Sequence, residues 1–353
     1  MKNLLLFTFI TISINTFSQR NEIAWNKAKE AIQLMDNGKI DESIKILKEC
    51  EKIDGEDYTY PYEIAYAYVL KKNYKSAIKI LDKTKKYKNA TSEVYQLSGN
   101  CYSFSQKPDL AIKEYETGMK KFPNDGNLHL EKGNIFLQQK KYNEAIENYE
   151  NGIKADPMYP SNYYRLALLY LNSNDKLSGL IYGEIFMNLE RKTKRTIEIS
   201  ELLFNTYKQN IQFNGDETKI DFCDVIITEK HLKEIDLTLP FCGVFVSHFI
   251  LATVGQKEIT LKSLSEIRIA FLNNYYLKED NKKYPNVLLQ YHKQMIDKNY
   301  FDSYNRYLFQ MGAQKEFSEW KNKNVNDYDN FVDWYTNESN YLNINQENLF
   351  LKE

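Results

Sequence analysis

Glycine and proline are scarce in this chain, 13 and 7 in 353 residues. That scarcity excludes collagen-like and low-complexity classes and disfavours a turn-rich all-β fold. Net charge is almost nil, since 47 basic residues face 48 acidic ones. No whole-molecule field exists to attract nucleic acid or anionic lipid. Cysteine is rare as well, with four residues and no Cys-x-x-Cys pair, which excludes a disulfide-stapled miniprotein and argues against structural zinc. Gly-x-Ser-x-Gly, His-Glu-x-x-His, a phosphate-cradling glycine loop and an EF-hand pattern are all absent, so no metal, cofactor or catalytic motif is predicted. The longest internal apolar run, Leu239 to Val254, contains Pro240, Gly243 and His248 and reads as a buried helix, too short for a membrane span. What is present is 42% hydrophobic residues with 28 Tyr and 19 Phe. Long helices packed through aromatics are the expectation.

The chain begins Met1-Lys2-Asn3, continues with an uncharged apolar run from Leu4 to Ile14, and offers small residues at Thr16 and Ser18. This three-part pattern predicts a secretory signal peptide over residues 1–18. A run of that length spans about 16 Å as a helix against about 30 Å of hydrocarbon, so no stable membrane span is expected. No Cys follows the run, so a lipid anchor is not predicted, and the mature protein is expected to be exported, periplasmic or secreted. Cys223 and Cys242 stand nineteen residues apart and could pair in an oxidising compartment. We read them as two independent buried thiols, with the pair as the alternative, because pairing depends on a Cα separation that sequence does not contain.

Small residues recur every thirty-four positions at Ser43, Ala77, Ala111, Ala145 and Gly179, each preceded by twelve positions by another, at Ala31, Ala65, Gly99, Gly133 and Ala167. Large apolar residues follow the second set at Leu34, Tyr68, Tyr102, Phe136 and Tyr170, and Leu47, Leu81, Tyr115 and Tyr149 keep the same phase. Small residues of this kind sit where antiparallel helices approach closely, and large ones on the same face fill the space beside them. Each unit therefore predicts a helical hairpin. In the fourth, Asn127 to Gln139 and Asn143 to Lys154 are the helices, Lys140 to Tyr142 the turn, and Pro157 the stop. Tyr68, Tyr102 and Tyr170 are predicted core residues.

This pattern resembles the tetratricopeptide repeat, most closely through Tyr95, Gly99, Tyr102, Ala111, Tyr115, Gly118 and Pro123, then Gly133, Phe136, Tyr142, Ala145, Tyr149, Gly152 and Pro157. Five units follow, over 24–57, 58–91, 92–125, 126–159 and 160–193. The resemblance implies an all-α superhelix of helical hairpins whose first helices line a concave groove for an extended peptide or partner helix. Carried onto this chain, the family's groove positions include Tyr62, Tyr66, Gln96, Asn100, Asn134 and Tyr164, with Arg165 beside them. Asn100 and Asn134 are the sharpest candidates, because an amide can pair with a bound peptide backbone whatever its side chains. The family variant that clamps a C-terminal carboxylate needs Lys and Arg, whereas Gln96 and Glu131 stand in two of those places and only Arg165 fits.

After residue 193 the repeat phase is lost. Thr196 to Gln209 reads as a helix capping the array, Ile220 to Ile227 as a short extended stretch after the Asn214-Gly215-Asp216 turn, and 194–353 as a mostly α-helical module. Ser263 to Glu266 resembles a capping box opening a helix to Leu277, and further helices are predicted over Pro285 to Lys298, Phe301 to Met311, Phe317 to Lys323 and Tyr328 to Tyr335. Cys242 and His248 could form a nucleophile and base, but their spacing does not share a helical face, and a buried thiol with a core histidine explains both. Asp327, Asp329 and Asp333 read as solvated or helix-capping acids. These residues together predict an exported, non-enzymatic scaffold that holds a protein or peptide segment, with no nucleic-acid partner. Two alternatives are an enzyme with its site near Cys242 and His248, and a subunit of an envelope assembly or secretion complex exposing an apolar patch.

Overall fold

A computed structural model of the protein describes residues 21–215, 217–224 and 239–352. The signal peptide expected over residues 1–18 lies outside them. Contacts group the chain into two compact units, Met1–Gly118 and Met119–Glu353. The described residues are all-α apart from one short β-hairpin.

The first unit holds α1 (Glu22–Asp36), α2 (Ile40–Ile53), α3 (Thr59–Leu70), α4 (Tyr74–Thr84), α5 (Ser92–Phe104) and α6 (Pro108–Lys121), whose last turn crosses the boundary. Helix α1 starts where Asn21 Oδ1 accepts from the amides of Ile23 and Ala24 at 3.1 Å, and buries Ala24, Ala28, Ala31 and Met35, one stripe at helical spacing. The turns carry the period in their backbones. Gly38, Lys72, Gln106 and Lys140 all have φ between 57° and 78° and stand thirty-four residues apart, the left-handed residue that ends the first helix of a hairpin.

The second unit holds α7 (Gly126–Gln138), α8 (Tyr142–Ala155), α9 (Pro160–Leu171), α10 (Lys176–Leu189) and α11 (Lys194–Asn210). The close contacts expected of small residues are real. A Cβ on Gly133 would lie 2.5 Å from the Tyr149 ring, and one on Gly99 would meet Tyr115 in the same way in the first unit. Gly133→Val is therefore expected to lower the unfolding free energy by about 2–3 kcal/mol through overpacking, measured by urea denaturation. Tyr170 is buried as expected, whereas Tyr68 and Tyr102 are half-buried; Tyr60, Tyr115, Tyr149, Tyr163 and Tyr182 fill the interior instead.

Helix α10 is buried at every position from Leu177 to Asn188, the signature of a helix surrounded by others rather than at the end of an array. Helix α11 accordingly does not terminate the packing: Ser200 Oγ donates to the Leu308 carbonyl at 2.7 Å, and one core runs from Leu130 to Ile344. The compact units thus divide within α6, whereas the repeat phase ends near residue 193. The extended stretch lies earlier than expected. Ile211–Asn214 pairs antiparallel with Glu217–Ile220, Asn214 opposite Glu217, since Asn214 and Gly215 form the hairpin turn; the expected strand beyond residue 224 falls outside the described residues.

Helices then follow at Phe241–Ala252, Leu261–Leu277, Asp280–Lys283, Val287–Asp297, Phe301–Phe309, Gln314–Lys323 and Val325–Thr336. The capping box is Thr260 with Ser263, not Ser263 with Glu266. Cys223 and Cys242 form a disulfide with a Cα separation of 6.6 Å, which corrects the reading of two independent thiols. The approach comes from packing. Phe222, next to Cys223, and Phe245, one turn after Cys242, pack against each other and against Tyr207, Phe249 and Phe271 in one aromatic cluster, and this brings the flanking chain segments together.

Candidate functional site

In the first unit Tyr62, Tyr66, Gln96 and Asn100 stand on first helices, α3 and α5. Tyr66 is exposed and the other three are half-buried. The Tyr62 ring meets Tyr58 edge-on at 6.2 Å, and the Tyr58 hydroxyl donates to Glu93 at 3.3 Å. Burial, then the nearby carboxylates of Glu93 and Asp36, push the Glu63 carboxyl above the usual range. This face is aromatic and acidic. Asn100 is held from behind, where the Tyr115 hydroxyl on α6 donates to its Oδ1 at 2.6 Å.

In the second unit the same contact recurs. The Tyr149 hydroxyl on α8 donates to Asn134 Oδ1 at 3.0 Å, while Asn134 Nδ2 donates to Glu131 Oε2 at 3.3 Å. Burial pushes the Tyr149 hydroxyl up to about 12, against the Arg165 charge, so it stays a proton donor across the physiological range. Each Asn is thus fixed by a Tyr fifteen residues later, and the Gly before it makes room for that Tyr ring. The Gly-Asn pair and its Tyr are visible at the repeat period, yet the Asn–Tyr bond itself is not written in it.

Tyr164 and Arg165 are half-buried on α9. Tyr164 donates to Glu198 Oε2 at 2.6 Å, its ring lies 5.2 Å from Phe186, and the guanidinium groups of Arg195 and Arg165 lie 5.0 and 5.9 Å from that ring. Arg195 also pairs with Glu190 and donates to Ser161 at 3.0 Å. Glu198 and Arg195 belong to α11, so the helix read as a cap supplies part of this surface. Sequence reasoning missed them because α11 lies outside the repeat phase.

Cys242 and His248 do not come together as a nucleophile and base. Cys242 is bonded to Cys223 and so offers no thiol in this state, and His248 Nε2 sits 2.7 Å from Asp280 Oδ2. Among the described residues no three His, Cys, Asp or Glu side chains converge to hold a metal, and no helix is long and apolar enough to cross a membrane. A polar cluster that sequence did not suggest lies inside the second unit. Arg268 Nη2 donates to both Glu184 oxygens at 2.6 and 2.7 Å, Arg268 Nη1 donates to Asn305 Oδ1 at 2.6 Å, and the Tyr304 hydroxyl donates to Glu184 Oε1 at 2.9 Å. His292 Nε2 lies 2.6 Å from the same oxygen. The adjoining cavity is only about 20 Å³, the room of a single water, and this cluster reads as structural.

The protein-family model for the TPR repeat matches residues 133–174, the stretch that contains Asn134, Tyr149, Tyr164 and Arg165. No curated protein matches the chain in sequence. Among solved structures it is similar to TTC0263, a thermophilic TPR protein of Thermus thermophilus, with 14% identity over 51% of this chain and 98% of that one and a TM-score of 0.42. It is similar to PilW, a type IV pilus biogenesis factor, with 15% identity over 53% and 86% and a TM-score of 0.41. MamA from Desulfovibrio magneticus gives 18% identity over 50% and 99% and a TM-score of 0.37.

Proposed function

We propose that this chain, a tetratricopeptide-repeat protein, is an exported scaffold that holds an extended segment of another protein on the first helices of its hairpins. The observation that carries the reading is the Asn–Tyr bond, present at Asn100 and again at Asn134. With Oδ1 held by a tyrosine of the second helix, the amide nitrogen has N–H donors to offer a peptide carbonyl, one of the two on Asn134 being taken by Glu131. A backbone contact of this kind is indifferent to the partner's side chains. Glu63 and Glu93 in the first unit, and Glu131 and Glu198 in the second, add acceptors and negative charge, so each of these faces favours segments rich in donors over a free terminal carboxylate. Export rests on the signal-like first eighteen residues and on the Cys223–Cys242 disulfide, a bond that persists in oxidising compartments.

Asn100→Ala with Asn134→Ala removes two such contacts of about 1 kcal/mol each, so affinity for a captured partner is expected to fall about 30-fold. The check is titration of the purified partner against both proteins after circular dichroism establishes that the variant is folded. Unchanged affinity would remove both residues from the site. One observation favours a second reading, a subunit of an envelope assembly: Leu251 and Val254 are 61% and 80% exposed at the end of the Phe241–Ala252 helix, beside exposed Ile250, an apolar tip away from the repeat positions.

A further inference from the structure

The last residues of the chain return across the fourth and fifth hairpins, against residues of α8, α9 and α10 other than the groove positions, in two differently seated parts. Leu342 and Ile344 are 3% and 2% exposed and serve as an anchor. Beyond them comes a turn with Asn345, Gln346 and Glu347 exposed and Asn348 half-buried, Asn345 N donating to Asn348 Oδ1 at 2.7 Å and Glu347 N to Asn345 Oδ1 at 2.8 Å, and with one tie to the hairpins, from Gln346 Nε2 to the Lys154 carbonyl. Leu349, Phe350 and Leu351 are then only half-buried.

What this outer part covers has the composition of a recognition site. Tyr182 stacks on Tyr170 at 5.8 Å and lies 6.2 Å from Tyr163. Its hydroxyl donates to Glu150 Oε1 at 3.1 Å and accepts from the Lys352 backbone at 3.0 Å. Phe350 meets the Tyr182 ring edge-on at 5.1 Å. The Lys352 ammonium lies 2.8 Å from Asp175 Oδ2 and 5.0 Å from the Tyr170 ring. Aromatic faces flanked by two carboxylates favour an aromatic ring and a cation together, and the chain's own end supplies both, two residues apart. The attachments are made by side chains and single backbone groups rather than by a strand ladder, so the outer part can leave while the anchor stays.

We propose that this tyrosine shelf is a second binding surface, for an extended partner segment with an aromatic residue two places ahead of a lysine, and that the chain's own end occupies it until displaced. A tethered occupant lowers the apparent affinity of any competitor by the fraction of time the shelf is open. In the full-length protein, Phe350→Ala with Lys352→Glu weakens the occupant without touching the shelf. A fluorescent peptide with the sequence of residues 345–353 is expected to bind this variant at least tenfold more tightly than the unaltered chain. Adding Asp175→Asn, which keeps the cap on Ser178 but removes the charge, is expected to reverse the gain at least fivefold.

Equal binding to variant and unaltered chain, or binding to neither, overturns the proposal. Hydrogen exchange on the unaltered chain tests it without substitutions. Amides of residues 349–352 are expected to exchange at least tenfold faster than those of α10, and equal protection would make the end a fixed part of the fold. A dimer of the unaltered chain abolished by the double substitution would assign the shelf to a second copy and overturn the partner reading.

Discussion

Arg268→Met is expected to lower the stability of the second unit by about 3–5 kcal/mol, because it leaves the Glu184 carboxylate buried without its cation. Arg268 lies between Phe301 and Phe309, 5.4 and 5.1 Å from their rings, so the substitution keeps an apolar stem in place and the loss is one of charge. Glu184→Met with Arg268→Met is expected to recover most of the deficit, since an apolar pair of similar volume can replace a buried ion pair at little cost. Urea denaturation followed by the fluorescence of Trp320 and Trp334 measures all three proteins. A double variant no better than Arg268→Met would mean that packing, rather than the pair, is what Arg268 contributes.

The same cluster sets the response to acid. Burial pushes the Glu184 carboxyl up, but Arg268 and then His292 outweigh it and hold it at about 2. Its folded value lies below its unfolded one of about 4.5, so its contribution is present above pH 4.5 and is lost as pH falls through 2. Burial lowers His292 from its ordinary value, against the attraction of Glu184. We hold that His292 is neutral at pH 7 and that Arg268 is the cation Glu184 relies on. The unfolded chain binds the histidine proton first, so stability declines below about pH 6.5, before the carboxyl is reached. His292→Gln should remove this histidine's share of the upper step and, by taking away one of the groups that hold Glu184 low, raise the pH at which the lower step begins.

Reduction of the Cys223–Cys242 bond is expected to cost about 3 kcal/mol for a loop of this length, or a fall in Tm of roughly 6–12 °C for a unit of this size. The disulfide adds a covalent tie to a segment already docked through the Leu177 amide, which donates to the Phe222 carbonyl at 3.0 Å, and through Phe222 in the aromatic cluster. Scanning calorimetry with and without reductant reads the effect. Cys50 and Cys101 should not contribute, because both are buried and free and burial pushes the Cys101 thiol up to about 12. An unchanged Tm, with both Cys223 and Cys242 alkylated in the untreated protein, would contradict the pairing and remove one support for export.

The hairpins are legible because their information is local and periodic. Gly99 and Tyr115 stand sixteen residues apart, as do Gly133 and Tyr149, and the left-handed turn residues at 72, 106 and 140 follow from the same phase. The Phe241–Ala252 helix is legible as a helix, but the expected burial holds on one face only, since Ile250, Leu251 and Val254 are exposed. The Glu184 cluster is not, because its partners lie 84, 108 and 120 residues along the chain at Arg268, His292 and Tyr304, with no pattern to connect them. The disulfide is hidden for a related reason: the distance between Cys223 and Cys242 is set by Phe222, Phe245 and Tyr207 packing together. At the candidate site, residue types are readable and their mutual bonds are not. Asn134 can be placed on a first helix, but that Tyr149 holds one end of its amide emerges only from the helix pairing.

Site-specific photocrosslinking in the living source cells tests the central claim most directly. With a photoreactive residue at Gln96 or Leu137, on first helices, the scaffold reading expects discrete adducts to a polypeptide in the exported fraction, and their loss when Asn100→Ala and Asn134→Ala are added. Probes at Lys113 or Glu147, on second helices, should give none of these adducts. Adducts equally strong from all four positions, or unaffected by the double substitution, would contradict a segment held on the first helices.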